Sequence, residues 1–521
     1  MHPKPCLCLL FVFCACCAGP SPASAAEPVV RVTGGMIRGR LLPNERGAVF
    51  RGIPFAAPPV GALRWREPMP VVPWDGVRES DRPGPPPQQP SFGWNARMAA
   101  DSREDCLYLD VWTPAGPARA RLPVMVWIHG GANLGLAGGY EPLYDGRALI
   151  RHGVILVVVE YRVGIFGFFA HPALTRESPH HAAGNYGLLD QLAALRWVRD
   201  NIAAFGGDPG NVTVVGQSAG GWNIVGLMSS PLARGLFHRA IVESGVPPKT
   251  LTRPLPEAEQ AGVQVADKLH AAAEGTLTFL RSLPPAQLLE AGPGINTFTR
   301  DGWVLPESPY EVWRAQRELP VPLLIGNNAV EIPASGSPAE IKTAIRDTFG
   351  DLAPRALTLY GLAGDGDGPP PDPLYGTLAD QWGSDLFFRN PAIIHGEWHA
   401  AAGHRVWEYE FDRAIPPHPR AQHSSELPYV FGNFPAKDAM VTGEFTDADR
   451  RLSASVQVYW TNFAKTGDPN GPGVPIWPGY DGQERRYLIF TTAAEVAEGR
   501  NERGPWCDLF RELMNRLTAA Q

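Results

Sequence analysis

The pentapeptide Gly216-Gln217-Ser218-Ala219-Gly220 constrains this chain more than any other stretch. It lies between Val212-Thr213-Val214-Val215, which is apolar and β-branched, and a helix-like run that opens Gly221-Trp222-Asn223-Ile224. A serine at the tight turn between a strand and a helix has the setting of a nucleophile elbow, because small neighbours permit the strained turn that lifts the hydroxyl clear of the backbone. Ser218 is therefore the candidate nucleophile. Taken alone, the pentapeptide leaves open the alternative of a Gly/Ser turn without chemistry, since short patterns recur by chance. Chemistry requires a base, an acid and oxyanion donors from elsewhere in the chain.

With 521 residues, 44% of them hydrophobic and 19% charged, the chain has ample material for a large core. A formal charge of −7 without a basic block argues against a general affinity for nucleic acid or anionic membrane. At the N-terminus, His2 and Lys4 precede an apolar stretch from Cys6 to Ala18, followed by Gly19-Pro20 and the small-x-small sequence Ala23-Ser24-Ala25. Residues 1–25 read as a cleaved signal peptide, which implies a secreted or periplasmic protein. The alternative of a membrane anchor needs about 20 apolar residues, more than this run supplies. Lipidation at Cys16 or Cys17 lacks a convincing lipobox. Cys6, Cys8, Cys14, Cys16 and Cys17 fall within the presumed signal, leaving Cys106 and Cys507 in the mature chain. Two distant cysteines make no disulfide framework.

Apolar strand-like runs occur at Val124–Ile128, Val154–Val159, Val212–Val215, Ala240–Val242, Val321–Ile325 and Val406–Phe411. Continuous apolar runs separated by helical patterns predict a mostly parallel sheet in an α/β fold. The clearest helix runs from Leu188 to Ile202, with Leu192, Leu195 and Val198 at spacings of three and four, and Gly206-Gly207-Asp208-Pro209 ends it. Proline-rich stretches at Pro83–Pro90, Gly364–Pro373 and Pro416–Pro419 read as surface loops. With no repeat and no convincing linker, residues 26–521 are expected to form one domain with long insertions.

Several ordered motifs carry a resemblance along nearly the whole mature chain. They are Phe50-Arg51-Gly52-Ile53-Pro54-Phe55-Ala56-Ala57-Pro58-Pro59-Val60-Gly61, Glu104-Asp105-Cys106-Leu107-Tyr108-Leu109, and the block from Gly184-Asn185-Tyr186-Gly187-Leu188 to Gly220. Together they resemble the type B carboxylesterase and cholinesterase-like branch of the α/β-hydrolases. The resemblance implies an α/β-hydrolase fold, with a central mostly parallel sheet flanked by helices, and a serine esterase.

Carried over residue by residue, His423 in His423-Ser424-Ser425-Glu426 matches the family's catalytic histidine, in preference to His418 five positions earlier in a proline-rich loop. Glu331 fits the acid of the Gly-x-Asn-x-x-Glu segment Gly326–Glu331, although Ile332 stands where glycine is usual. A structural salt bridge is the competing role for Glu331, and Glu307 and Asp301 are the substitute acids. The order Ser218, Glu331, His423 is that of nucleophile, acid and base in α/β-hydrolases. Trp127-Ile128-His129-Gly130-Gly131-Ala132-Asn133 resembles the oxyanion loop, so the implied donors are the amides of Gly131, Ala132 and Ala219. An ordinary Gly-rich strand-to-loop turn remains the alternative there. His129 is read as loop packing. Ser244 and Glu426 match supporting positions behind the triad, and Gln217, Asn133 and Trp222 are candidates for the substrate pocket.

Departures from the family narrow the substrate. Cholinesterases carry glutamate before the serine where this chain has Gln217, and the stretch Ile332-Pro333-Ala334-Ser335 lacks an aromatic pair, which disfavours choline esters. Trp94 reads as loop packing rather than a ligand contact. The usual partner of Cys106 is replaced by Pro85-Pro86-Pro87-Gln88, so Cys106 and Cys507 are expected to be free and buried. No metal-ligand spacing, Walker motif or dinucleotide fingerprint is present, so neither metal nor cofactor is expected. The C-terminal stripe Leu509, Phe510, Leu513, Met514 and Leu517 reads as core packing. The leading function is hydrolysis of neutral carboxylic esters through a Ser-His-Glu triad and an acyl-enzyme. The alternatives are a non-catalytic adhesion module on the same fold, or the same triad acting on amide, carbamate, lactone or polyester bonds. The segments Ala291–Arg300 and Gly364–Tyr375 are the expected sources of pocket walls. No feature indicates an oligomeric state.

Overall fold

The apolar runs become the middle of an 11-stranded sheet in the computed structural model, which describes Met1 and residues 26–42, 47–114, 120–364, 368–435 and 437–519. The expected signal segment lies, beyond Met1, outside the described residues. In chain order the strands are β1 (Arg40–Leu42), β2 (Gly47–Pro54), β3 (Tyr108–Pro114), β4 (Leu122–Ile128), β5 (Ile155–Val159), β6 (Gly207–Gln217), β7 (Arg239–Glu243), β8 (Leu323–Asn328), β9 (Val406–Phe411), β10 (Arg486–Phe490) and β11 (Val496–Arg500). Their order across the sheet is β11-β10-β9-β8-β7-β6-β4-β5-β3-β2-β1. From β5 to β10 neighbouring strands run parallel, and antiparallel pairs close both edges.

Burial on both faces explains the uninterrupted apolar character of the central strands. All five residues of β5 are buried. Along β4, Val124, Val126 and Ile128 enter one core cluster while Met125 and Trp127 enter the other, the period of two that a strand imposes. Helix α1 (Tyr186–Asn201) presents Leu188, Leu192, Leu195 and Val198 to the first cluster. Two further helices are α2 (Ala219–Ser229), which follows the elbow, and α3 (Asp447–Thr466), whose Leu452, Val456, Tyr459 and Phe463 pack in the second cluster. Each such side chain contributes about 1.5–3 kcal/mol by leaving water.

The chain runs from β4 to β5 on one side, then returns so that β6 lies against the other side of β4. A reversal of this kind opens a crevice at the carboxyl ends of the two strands, where α/β proteins bind ligands. Register brings the neighbouring ends level: Ile128 pairs with Gly216, and Glu243 with both Gln217 and Gly326. The segments after β4, β6 and β8 therefore emerge along one edge.

Cys106 and Cys507 are free and buried, and burial pushes both thiols well above the ordinary value. Helix α4 (Gly504–Ala519) packs Cys507, Leu509 and Phe510 into a third core cluster beside Phe349 and Trp382. No helix among the described residues is long and apolar enough to cross a membrane.

Candidate active site

Ser218 sits at φ 56° and ψ −125°, between the end of β6 and the start of α2. A non-glycine residue in such a region costs on the order of 1–3 kcal/mol and persists only where its surroundings fix it. Here the Ser218 N–H donates to the Glu243 carbonyl at 2.9 Å, and the Trp222 N–H donates to the Ser218 carbonyl at 3.0 Å. The flanking glycines are required by close approach, for a Cβ on Gly220 would lie 2.0 Å from the Ile128 oxygen and one on Gly216 would lie 2.8 Å from the Gly220 carbonyl carbon. The sequence thus forms an elbow that leaves Ser218 9% exposed at the crevice.

Glu331 follows β8 by three residues and is held at four points. Its Oε2 lies 2.5 Å from His423 Nδ1, its Oε1 accepts from Ser244 Oγ and from the Asn328 N–H at 2.7 Å each, and its own N–H donates to Ser384 Oγ at 2.9 Å. Asn328 extends the chain, its Nδ2 donating to Glu426 Oε2 at 2.7 Å. Burial lowers the affinity of His423 for a proton, and the hydrogen bond and charge of Glu331, with the charge of Glu426, more than reverse that. The imidazole consequently stands above the ordinary histidine value. Burial, then the charge of Glu331, pushes Glu426 up to about 7 against the Asn328 hydrogen bond. Burial and Glu426 push Glu243 up to about 8, while Trp460 Nε1 donates to its Oε1 at 2.6 Å.

The substitute acids are engaged elsewhere. Glu307 forms an exposed ion pair with Arg317, and Asp301 accepts from the Trp303 and Leu305 N–H groups and from Asn185 Nδ2. His418 is exposed on its loop. His129 is fully buried, stacks on Tyr161 at 4.3 Å and is pushed down to about 4 by burial, which suits packing rather than proton transfer.

The loop after β4 carries three consecutive positive φ angles, 86° at Gly131 and 55° at Ala132 and Asn133. A Cβ on Gly130 would lie 3.1 Å from Ser218 Cβ, which sets this loop directly against the elbow. Among the described residues no protein acceptor takes the N–H of Gly131, Ala132 or Ala219. Asn296 Nδ2 donates to the Ala132 carbonyl at 2.8 Å, so the Ala291–Arg300 segment reaches the same crevice.

The pocket candidates divide. Trp222 is partly exposed beside Ser218. Asn133 is not a pocket residue: it is fully buried, its amide exchanges hydrogen bonds with Asn223 at 3.2 and 2.9 Å, and Tyr161 donates to it at 3.3 Å. It braces the loop from behind. Gln217 is 1% exposed, with its Nε2 3.2 Å from His423 Nε2. Tyr375, at the end of the other expected wall segment, instead lies under the guanidiniums of Arg389 and Arg503. Trp94 is 56% exposed and stacks on Phe92. A separate surface cavity of about 180 Å³, lined by Trp65, Tyr186, Leu189 and Trp303, includes none of the site residues.

Sequence reasoning passed over Glu243 and Asn328. The signal for Glu243 was an acid closing the apolar run of β7, and Asn328 stood unassigned inside the acid segment. It also found no metal-ligand spacing, yet the fold gathers Glu318, His399 and His404 with candidate ligand atoms within 4.8 Å of one another. Both ring nitrogens of His399 are already committed there, to Glu318 Oε1 and the Val321 carbonyl.

The strand order and the elbow at its reversal define an α/β-hydrolase. A solved PNB esterase structure superposes with a TM-score of 0.80 at 34% identity, covering 93% of this chain and 99% of that one. The family model described as "Carboxylesterase family" matches residues 26–344 and 376–505. Carboxylesterase 1E of Rattus norvegicus is 35% identical, with 95% of each chain covered. Fumonisin B1 esterase of Sphingopyxis macrogoltabida is 36% identical over 86% of this chain and 84% of its own. The chain belongs to the carboxylesterase family and is a carboxylic ester hydrolase.

Proposed function

We propose that this enzyme hydrolyses neutral carboxylic esters through Ser218, His423 and Glu331 with a covalent acyl-enzyme intermediate. The observation that carries the reading is the hydrogen-bonded line from Ser244 through Glu331 to His423, ending at the strand reversal where Ser218 is strained into the crevice. Glu331 accepts a hydrogen bond from the N–H at His423 Nδ1, which leaves Nε2 as the acceptor that a general base needs. Ser218 Oγ attacks the ester carbonyl carbon as His423 Nε2 takes its proton. The oxyanion forms against the N–H groups of Gly131 and Ala132, on a loop already fixed by Asn133, Asn223 and Asn296, and of Ala219 at the start of α2. Collapse breaks the bond to the alcohol, which leaves with the proton from His423. Water then repeats the sequence on the acyl group and restores Ser218.

Gln217 in place of a carboxylate beside Ser218 favours uncharged substrates over quaternary ammonium esters. Purified enzyme should hydrolyse p-nitrophenyl acetate or butyrate, and Ser218→Ala should abolish that activity while melting at the same temperature. Full activity in the folded variant, or no activity of the wild type on either ester, defeats the reading. We infer further that residues 1–25 direct export and are removed, so N-terminal sequencing of exported enzyme should begin at Ala26. A chain that retains Met1 outside the cytoplasm would contradict this.

A further inference from the structure

The group that meets the free nitrogen of His423 is Gln217. It closes β6 directly before Ser218, and its side-chain nitrogen lies 3.2 Å from His423 Nε2. Glu331 Oε1 already accepts from Ser244 and Asn328, so the carboxylate acts as an acceptor throughout and the ring proton resides on His423 Nδ1. Nε2 of the neutral ring is a bare lone pair, and the Gln217 amide donates to it. The amide oxygen faces the oxyanion loop, where a Cβ on Gly130 would lie 3.3 Å from Gln217 Oε1. Among the described residues Ser218 Oγ makes no hydrogen bond with His423.

We propose that Gln217 is a positioning residue that holds the general base at rest, capping His423 Nε2 until a bound ester displaces the carboxamide and frees the nitrogen for Ser218 Oγ. This rests on the assignment of Ser218 and His423 made above. A donor on Nε2 stabilises the neutral imidazole and opposes its protonation. The charged groups facing the ring are Glu331, from the segment after β8, and Glu426, from its own segment. Phe388 packs on the ring at 4.9 Å, and Gln217 reaches it from β6. The cap trims the rise in proton affinity that the two carboxylates cause. It also reduces the apparent rate by the fraction of time the base is covered.

The test is the pH dependence of kcat/KM on p-nitrophenyl acetate for wild type, Gln217→Leu and Gln217→Glu. Rates are normalised to active sites titrated with diethyl p-nitrophenyl phosphate. Gln217→Leu removes the donor at similar bulk and should raise the plateau about 2- to 10-fold while moving the acid midpoint up by about half to one pH unit. Gln217→Glu sets a carboxylate beside Nε2, so its midpoint should move higher still and its rate at pH 6 should fall below wild type. Should Gln217→Leu fail to fold, Gln217→Ala gives the same reading. Unmoved midpoints with a lowered plateau would mean that Gln217 only packs the site, which overturns the proposal. A wild type that hydrolyses esters but takes no phosphoryl group on Ser218 would overturn the assignment of Ser218 and His423, and the cap with it.

Discussion

Two buried charge networks lie at the carboxyl ends of the strands, and they differ in whether they hold a permanent cation. In one, Arg389 donates to Asp385, Glu502 and the Ala329 carbonyl, and Arg503 reaches the second Asp385 oxygen at 2.9 Å. In the other, Glu331 and Glu426 act on the His423 imidazole and Glu243 lies next to Glu426, and among the described residues no arginine or lysine is hydrogen-bonded to any of the three. The first network holds two permanent cations and serves structure, although burial still pushes Glu502 and the neighbouring Glu410 and Asp412 upward. The second is short of cations, which leaves Glu426 at about 7 and Glu243 at about 8, and keeps His423 readily protonated. A site that must move a proton near neutral pH needs this imbalance. The two are joined, for Ala329 lies two residues before Glu331, so the arginine network anchors the segment that presents the proposed catalytic acid.

Breaking the cation-poor network should have the larger kinetic effect. Glu331→Gln keeps the shape but withdraws the charge that supports the imidazolium, and kcat should fall roughly 10⁴-fold with little change in KM. A loss under tenfold in steady-state assays would move the acid role elsewhere. Arg389→Met should act mainly on stability, because Asp385 and Glu502 stay buried without their guanidinium. Denaturant unfolding should show a loss of about 3–5 kcal/mol. An unchanged midpoint would mean that these carboxylates bury themselves as neutral acids.

The smallest effect sharpens the comparison through pH. Glu426 and Glu243 hold protons in the folded state that the unfolded chain releases at the ordinary glutamate value. Stability should therefore decline as pH rises from about 4.5, the unfolded range, towards the folded values of about 7 and about 8. His423, raised in the folded state, adds stability below about 6.5 that is lost above its folded value, so it slopes the same way. Melting temperatures of wild type and Glu426→Gln between pH 5 and 8 should diverge, with the variant showing the shallower slope. Parallel curves would remove Glu426 from the account.

Much of this arrangement was legible in the sequence because it rests on local rules. The apolar runs at Val154–Val159 and Val406–Phe411 fall on β5 and β9, and the pattern from Leu188 falls on α1. The edge strands β1, β2, β3, β10 and β11 were not read, since short or half-polar segments such as Arg40–Leu42 carry little periodicity. Where Gly206-Gly207-Asp208-Pro209 was expected only to end a helix, Gly206 turns at φ 87° and β6 begins at once with Gly207. Within the site, Ser218, Glu331 and His423 each sit in a local motif, so the sequence alone singles them out as candidates. Contacts made across the chain were not legible: Gln217 and His423 are 206 positions apart, Arg389 and Glu502 113, and no local pattern encodes such meetings. Asn133 was misread for the same reason, its partner Asn223 lying 90 positions away.

The central claim is that Ser218 carries the acyl group, with His423 freed to take its proton. Rapid acid quench of enzyme mixed with p-nitrophenyl butyrate, followed by intact-protein and peptide mass spectrometry, reads this directly. The account predicts one butyryl group per chain, on the peptide that contains Ser218, formed at the rate of the p-nitrophenolate burst. Ester hydrolysis with no adduct under any quench time, or an adduct on another residue, would contradict it.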